Sequence, residues 1–61
     1  MKVGDLVEID FKNANATIVG VLMSQAANHA TVYVIRTPTG KFVGEHAYFP
    51  ISMMKVISES R

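Results

Sequence analysis

A glycine in the middle of a β-branched segment limits the folds that this chain can adopt. Residues 17–23 read TIVGVLM, which is the composition of a strand, with Gly20 at its centre. A glycine inside a strand marks a bulge, a sharp bend or a close approach of another backbone. Because apolar residues occupy both faces on either side of it, the segment predicts a bent strand packed on both faces.

Alternation between apolar and acidic residues predicts another strand near the start of the chain. In residues 7–11 the apolar residues Val7, Ile9 and Phe11 recur with period two, and Glu8 and Asp10 lie between them. The apolar set should therefore face the core, and the two carboxylates should face solvent.

Turn residues divide the rest of the chain into short segments. The sequence TPTG at residues 37–40 predicts a tight turn between two strands of a hairpin, and Pro50 predicts a single helical turn before the last strand. The predicted strands are residues 7–11, 17–23, 31–36, 41–47 and 53–57, the helical turn is 48–52, the loops are 13–16 and 24–29, and the tail is 58–61. A short helical turn inside the loop at 24–29 stays open.

Five short strands, two of them with a central glycine, predict an all-β fold: a small, strongly bent antiparallel barrel. The chain resembles SH3-like barrel proteins in the segments KVGDLVEI, IVGVL, VYV and MKVI, at residues 2–9, 18–22, 32–34 and 54–57, so the match spans nearly the whole chain. The resemblance implies one SH3-like domain over residues 1–61, with five strands and a short helical turn before the last.

SH3-like barrel proteins include short uncharacterised bacteriophage proteins, KOW-type modules of ribosome and transcription proteins, and small photosynthetic electron-transfer subunits. One barrel hosts unrelated tasks, so the resemblance implies a fold and no single activity. Residues 13–16 lack the aromatic and acidic side chains of a peptide-binding SH3 loop, and residues 24–30 lack the Lys and Arg of a ribosomal module. Among these proteins, the chain resembles the phage proteins most in length, so a phage origin is the expectation.

Composition narrows the function classes. A chain of 61 residues closes around a single core. Its net charge of +1 disfavours a strongly basic nucleic-acid binder, and the absence of cysteine excludes disulfides and thiolate chemistry. With 49% hydrophobic residues interrupted by polar ones, we expect a folded domain without a membrane span. The acidic start lacks a secretory signal, so the expected compartment is the cytoplasm, or the host cytoplasm if the protein is viral.

The sequence contains no recognisable set of catalytic residues. The only two histidines, His29 and His46, cannot complete a metal site without further ligands. The segment TPTGK at residues 37–41 lacks the first glycine of a phosphate-binding loop, because Ile35 stands at that position. We expect a non-enzymatic protein with no catalytic residue, metal, cofactor or small-molecule substrate.

A surplus of apolar residues points instead to a partner. The strands at 17–23 and 31–36 are apolar on both faces, and a small barrel has only one interior. Large exposed apolar surfaces mark interfaces, so we expect a homodimer or docking to a larger protein. Aromatic and methionine side chains dominate interface energies, and the predicted exposed anchors are Tyr48, Phe49, Met53 and Met54.

Two other functions stay open. Aromatic residues interleaved with cations bind single-stranded nucleic acid on small barrels, and the candidates for such a regulator are Tyr33, Arg36, Lys41 and Phe42. Tyr33 and Phe42 could equally pack on each other across the predicted hairpin. The other alternative is an accessory subunit of a virion or of a larger enzyme.

Overall fold

The computed structural model describes residues 1–11 and 16–59, and its five strands form one antiparallel sheet. The elements are β1 (Leu6–Phe11), β2 (Ala16–Gln25), β3 (His29–Arg36), β4 (His46–Pro50), a 3-10 turn (Ile51–Met53) and β5 (Met54–Ser58). The strand order is β4-β3-β2-β1-β5, so β4 and β5 are the two ends of the sheet. Among the described residues, no helix has the length and apolar character needed to cross a membrane.

The sheet curls around a single core. Phe11 of β1 and Phe49 of β4 meet edge to face with ring centroids 5.8 Å apart, although two strands, β3 and β2, lie between them in the sheet order. The inner face of the sheet is therefore concave, and the core side chains lie on it. Seven buried residues form the core cluster: Val7, Ile9, Leu22, Ala30, Val32, Val34 and Phe49.

The alternation predicted for β1 is confirmed. Val7 and Ile9 are completely buried, and Phe11 packs against the core, while Asp10 is exposed and Glu8 half-buried. The tight turn at residues 37–40 is also confirmed, because the Gly40 N–H donates to the Thr37 carbonyl oxygen over 3.3 Å. Residues 12–15, which include most of the first predicted loop, and residues 60–61 of the tail lie outside the described residues.

Gly20 occupies the close approach that its position in the sequence predicts. A Cβ atom at this position would overlap the Val32 side chain and would lie 2.5 Å from the Tyr33 carbonyl oxygen. The register between β2 and β3 also shifts beside it, because Val19 pairs with Arg36 whereas Gly20 pairs with Val34. The absence of a side chain at Gly20 therefore lets β3 lie against β2 at an irregular point of the ladder.

Three bulges account for part of the apolar surplus. The registers skip one residue in β2, β3 and β5, which leaves Met23, Ile35 and Ile57 without a cross-strand partner. All three side chains are exposed. A bulge adds a residue to one strand and increases its local twist, so these apolar side chains stand at the points where the sheet bends.

The strand predicted at residues 41–47 is largely wrong. Residues 41–44 form turns, and only His46 and Ala47 of that segment lie in a strand. Phe42 and Gly44 have φ values of 66° and 86°, which no extended strand accommodates. Gly44 is therefore a turn glycine before β4, where its N–H donates to the Val34 carbonyl oxygen over 2.8 Å. The predicted hairpin exists, but a longer connection joins its strands.

Two other boundaries differ from the prediction. Tyr48–Pro50 belongs to β4, and the helical turn predicted at residues 48–52 begins only at Ile51. Pro50 has an extended backbone with φ −62° and ψ 135°, which a strand at the end of a sheet tolerates. In the loop predicted at residues 24–29, Ser24 and Gln25 continue β2 and His29 begins β3, so the connection is shorter and contains no helical turn.

A buried carboxylate ties the start of the chain to the sheet. Asp5 is only 1% exposed, and its carboxylate accepts a hydrogen bond from the Lys2 N–H over 2.8 Å. Its backbone holds β2, because the Leu22 N–H donates to the Asp5 carbonyl oxygen over 2.9 Å. Gly4 has a φ of 97° and donates its N–H to the Leu22 carbonyl oxygen over 2.8 Å. Asp5 therefore fixes the turn that leads into β1.

We expect Asp5→Ala to lower the free energy of unfolding by about 2 kcal/mol, because it removes a buried acceptor whose hydrogen bond involves a charged group. Chemical denaturation in urea, followed by circular dichroism, measures the change. Asp5→Asn keeps one acceptor oxygen and should lose less. Equal losses in the two variants would contradict the assignment of the effect to the acceptor.

Candidate functional site

The outer face of β3 and β4 collects both tyrosines and both histidines of the chain. In the antiparallel register Tyr33 pairs with His46, Thr31 with Tyr48, and His29 with Pro50. Side chains two residues apart on a strand share a face, so all of these residues lie on one side of the hairpin. We call His29, Thr31, Tyr33, His46 and Tyr48 the tyrosine–histidine face.

The rings on this face contact one another in pairs. The Tyr33 and His46 rings have centroids 5.3 Å apart and planes inclined by 58°. The His29 and Tyr48 rings have centroids 6.2 Å apart and planes inclined by 51°. Both distances are in the range of favourable ring pairs, so each histidine is held against a tyrosine. The face therefore presents two ring pairs, one on either side of Thr31.

The face is open to solvent. Tyr48 is 72% exposed and Tyr33 is 37% exposed, and His29 and His46 are exposed as well. A shallow depression of about 250 Å³ lies over the hairpin, lined by Thr31, His46, Ala47 and Tyr48. Enclosed sites for small ligands usually occupy about 300–1,000 Å³ and bury most of the ligand. The geometry suits contact with a surface better than enclosure of a small molecule.

An apolar row extends the face across the sheet. Leu6 of β1 pairs with Val21 of β2, Val21 pairs with Tyr33 of β3, and Tyr33 pairs with His46 of β4. Leu6 and Val21 are half-buried. The row therefore continues from the hairpin as a strip of apolar side chains on the outer side.

A second, charged row runs beside the apolar row. Lys55 of β5 pairs with Glu8, Glu8 pairs with Val19, and Val19 pairs with Arg36. Val19 is buried but is not a member of the core cluster. Two rows therefore lie side by side on the outer face. One carries opposite charges at Lys55 and Glu8, and the other is apolar and ends at the Tyr33 and His46 rings.

The four predicted partner anchors differ in their exposure to solvent. Tyr48 is exposed as predicted, but the exposure predicted for Phe49 is wrong, because Phe49 is only 9% exposed and belongs to the core cluster. Consecutive residues of a strand point to opposite faces, so Tyr48 points outward and Phe49 inward. Met53 and Met54 are half-buried and pack against the core. Tyr48 alone remains as an exposed anchor.

The four residues predicted for nucleic-acid binding, Tyr33, Arg36, Lys41 and Phe42, are all exposed. Tyr33 faces His46 across the hairpin, so the pairing of Tyr33 with Phe42 considered from the sequence is wrong. Phe42 lies in the turn that follows, and the same turn reaches Tyr33 at Gly44, where a Cβ atom would lie 3.9 Å from the Tyr33 hydroxyl.

The remaining titratable groups form no cluster with metal-binding geometry. Within residues 1–11 and 16–59, no three His, Asp or Glu side chains come together in a way that could hold a metal ion. His29 and His46 each contact a tyrosine ring. Glu45 precedes β4, which begins at His46.

Sequence reasoning missed His29, Thr31 and His46 as members of one surface. Their signal was present in the alternation of HATVY and HAY, where every second residue is a ring or a threonine. That signal becomes informative only once the register of β3 against β4 is known.

Comparison with protein families, curated proteins and solved structures gives no match to this chain. The function must therefore be argued from the geometry of the outer face.

Proposed function

We propose that this chain is a non-enzymatic binding module that contacts another protein chain through the tyrosine–histidine face. One observation carries the proposal: both tyrosines and both histidines lie on a single exposed face, ordered into two ring pairs. Tyrosine is enriched at protein interfaces because it adds a large contact area and a polar hydroxyl. The partner is either a second copy or a larger protein.

The order of the rings favours binding. Association costs free energy whenever mobile side chains must be fixed. Tyr33 and Tyr48 each have few rotatable bonds, and both rings already rest against a histidine. Less side-chain freedom is therefore lost when a partner covers them. The adjoining strip from Leu6 and Val21 adds apolar area to the same surface.

The proposed architecture is an SH3-like barrel. The strand order, the curl that brings Phe11 to Phe49, and the 3-10 turn before β5 support it. We further propose a cytoplasmic setting, in a host cell if the chain is of phage origin, in keeping with the absence of cysteine. An accessory role in a virion or in a larger enzyme would use the same kind of contact.

A second candidate function is binding of single-stranded nucleic acid. It is favoured by the exposure of Tyr33 and Phe42 together with Arg36 and Lys41 around one end of the hairpin. Bases stack on exposed rings while cations contact the phosphates. The net charge of +1 supplies little general attraction for a polyanion, so we place this function second.

The test compares Tyr48→Ser with Phe42→Ser. Both side chains are exposed, and only Tyr48 belongs to the tyrosine–histidine face. We expect Tyr48→Ser to weaken association at least tenfold and Phe42→Ser to leave it unchanged, because interface energy is concentrated in a few aromatic anchors. Self-association is measured by light scattering at several concentrations and two salt levels. Association with other proteins is measured by retention from extracts of the source cells on the immobilised chain.

The same samples discriminate between the two functions. Their nucleic-acid content is measured after purification. A monomer that carries nucleic acid, releases it as salt rises and loses it in Phe42→Ser would support the second function. Association that is equally strong in the parent chain and in Tyr48→Ser would contradict the first.

A further inference from the structure

The backbone N–H and C=O groups of β4 point alternately towards β3 and away from it. The Val34 N–H donates to the Glu45 carbonyl oxygen over 2.9 Å, and the Ile51 N–H donates to the Asn28 carbonyl oxygen over 2.9 Å. Backbone groups of successive residues in an antiparallel strand point to alternate sides. Glu45, Ala47, Phe49 and Ile51 therefore direct their backbone groups towards β3, and His46, Tyr48 and Pro50 direct theirs away from it.

That second side is an open edge. β4 ends the strand order, so none of the described strands pairs with it there. Its residues read HAYFP and include no Lys, Arg, Asp or Glu. Proteins usually protect sheet edges with charges or bulges. At the other end of the sheet β5 has both, in Lys55 and in the bulge at Ile57, so β4 is the less protected edge.

We infer that a second copy of this chain pairs with the β4 edge, antiparallel and around a two-fold axis at Tyr48. The inference rests on the proposed function and names its partner. In this arrangement Tyr48 lies opposite Tyr48 of the second copy, and His46 lies opposite Pro50 of the second copy. Two sheets join into one continuous sheet through their β4 strands.

The register follows from which residues can pair. An axis at His46 would bring Gly44 into the ladder, and its φ of 86° does not fit a strand. An axis at Pro50 would bring in Ser52, which lies in the 3-10 turn. Only an axis at Tyr48 keeps every paired residue inside His46–Pro50. A symmetric dimer uses the same patch on both copies, as this register does.

The missing N–H of Pro50 fits this register. Each Tyr48 N–H donates to the Tyr48 carbonyl oxygen of the other copy, and each His46 N–H donates to a Pro50 carbonyl oxygen. Proline lacks only the donor, so the His46 carbonyl oxygen is the one group left to water. No like charges meet across the axis, because β4 carries no Lys, Arg, Asp or Glu.

The dimer would also bury part of the most exposed ring of the face, while the other rings stay on the outer surface. Residues directly opposite in a hydrogen-bonded antiparallel pair have Cα atoms about 5.5 Å apart, so the two Tyr48 side chains would become neighbours. The rings of both copies would then form one larger outer surface. Tyr48 is 72% exposed in the single chain, and contact with its counterpart reduces that exposure.

A charge exchange at the axis tests the inference. Tyr48→Lys and Tyr48→Glu each place like charges opposite one another, and we expect each variant alone to dimerise at least tenfold more weakly than the parent chain. An equal mixture of the two should recover a one-to-one heterodimer. Sedimentation velocity measures the mass, and native mass spectrometry identifies the composition. Ile57→Lys changes an exposed residue at the β5 edge and should leave the dimer intact.

A cysteine introduced at the same position gives an independent readout. The chain has no cysteine, so Tyr48→Cys would hold the only thiol in each copy. A Cα separation of about 5.5 Å lies within the range that a disulfide spans. We expect rapid oxidation of Tyr48→Cys to a covalent dimer and little for Ile57→Cys. Circular dichroism confirms that each variant is folded.

Three results would overturn the inference: a monomeric parent chain at millimolar concentration, no heterodimer in the mixture of folded variants, or equal disruption by Ile57→Lys. A monomeric chain that still retains another protein in a Tyr48-dependent way would leave the proposed function standing with a different partner. A parent chain that binds neither itself nor another protein would contradict both.

Discussion

Gly20→Ala is expected to lower the free energy of unfolding by about 3 kcal/mol, because overpacking at a closed site forces the backbone to move. The added Cβ would overlap the Val32 side chain and would lie 2.5 Å from the Tyr33 carbonyl oxygen. A side chain can change its rotamer, but a carbonyl group in a ladder moves only with its strand. Urea denaturation followed by circular dichroism measures the loss.

Two variants separate the backbone clash from other effects of removing a glycine. Gly20→Ala combined with Val32→Ala removes the side-chain overlap and leaves the Tyr33 carbonyl clash, so we expect no rescue. At Gly40 nothing lies within 4 Å of an added Cβ, but φ is 76°, so Gly40→Ala should cost only about 1 kcal/mol of conformational strain. A loss below about 0.5 kcal/mol in Gly20→Ala would contradict the close approach.

Phe49→Ala is expected to cost about 3–4 kcal/mol, in the range of large-to-small changes at buried aromatic residues. Phe49 belongs to the core cluster and meets Phe11 edge to face across the curled sheet. A domain of 61 residues has a total stability of roughly 3–9 kcal/mol, so a large fraction of it would be lost. Amide proton dispersion in a nuclear magnetic resonance spectrum and the urea midpoint report the change.

The neighbouring residue provides the matched control for this prediction. Tyr48 points to the outer face and is mostly exposed, so Tyr48→Ala should change the stability of the monomer by less than about 0.5 kcal/mol. The two variants together therefore test which side chain of β4 stabilises the fold and which is available for binding. A folded, fully stable Phe49→Ala variant would contradict the place of Phe49 in the core.

Local patterns in the sequence predict the parts of the fold that depend on neighbouring residues. The alternation around Ile9 places its side chain correctly, and the central glycine of β2 marks the close approach. The turn at Thr37–Gly40 and a helical turn before the last strand also follow from local chemistry. The signal for each of these features lies within a few neighbouring residues.

The connection before β4 could not be predicted in the same way. Residues 41–44 include Phe42 and Val43, which favour strands, yet Phe42 has a φ of 66°. One hydrogen bond of this turn is local, from the Glu45 N–H to the Phe42 carbonyl oxygen, but two others, from the Gly44 N–H to Val34 and from the Val34 N–H to Glu45, join the turn to β3. Tertiary hydrogen bonds therefore override the local preference.

The candidate site could be predicted only in part for the same reason. A helical turn at residues 48–52 is compatible with exposure of both Tyr48 and Phe49, whereas the observed strand places the two side chains on opposite faces. Pro50 predicts that turn because proline cannot donate to a ladder, but it is the last residue of a strand whose open side needs no N–H from it. Once the register pairs Tyr33 with His46, the tyrosine–histidine face follows directly.

The pairing of the first strand with the last has a consequence for folding kinetics. Leu6 pairs with Ser58 and Ile9 with Met54, so the β1–β5 ladder joins residues from opposite ends of the described chain. By contrast, β2 and β3 are linked through a connection of three residues. Loop-closure entropy grows with the length of chain enclosed, so β1–β5 is the most costly ladder of the sheet to close. Contacts of this kind raise contact order, which slows folding relative to a chain of the same size built from adjacent hairpins alone.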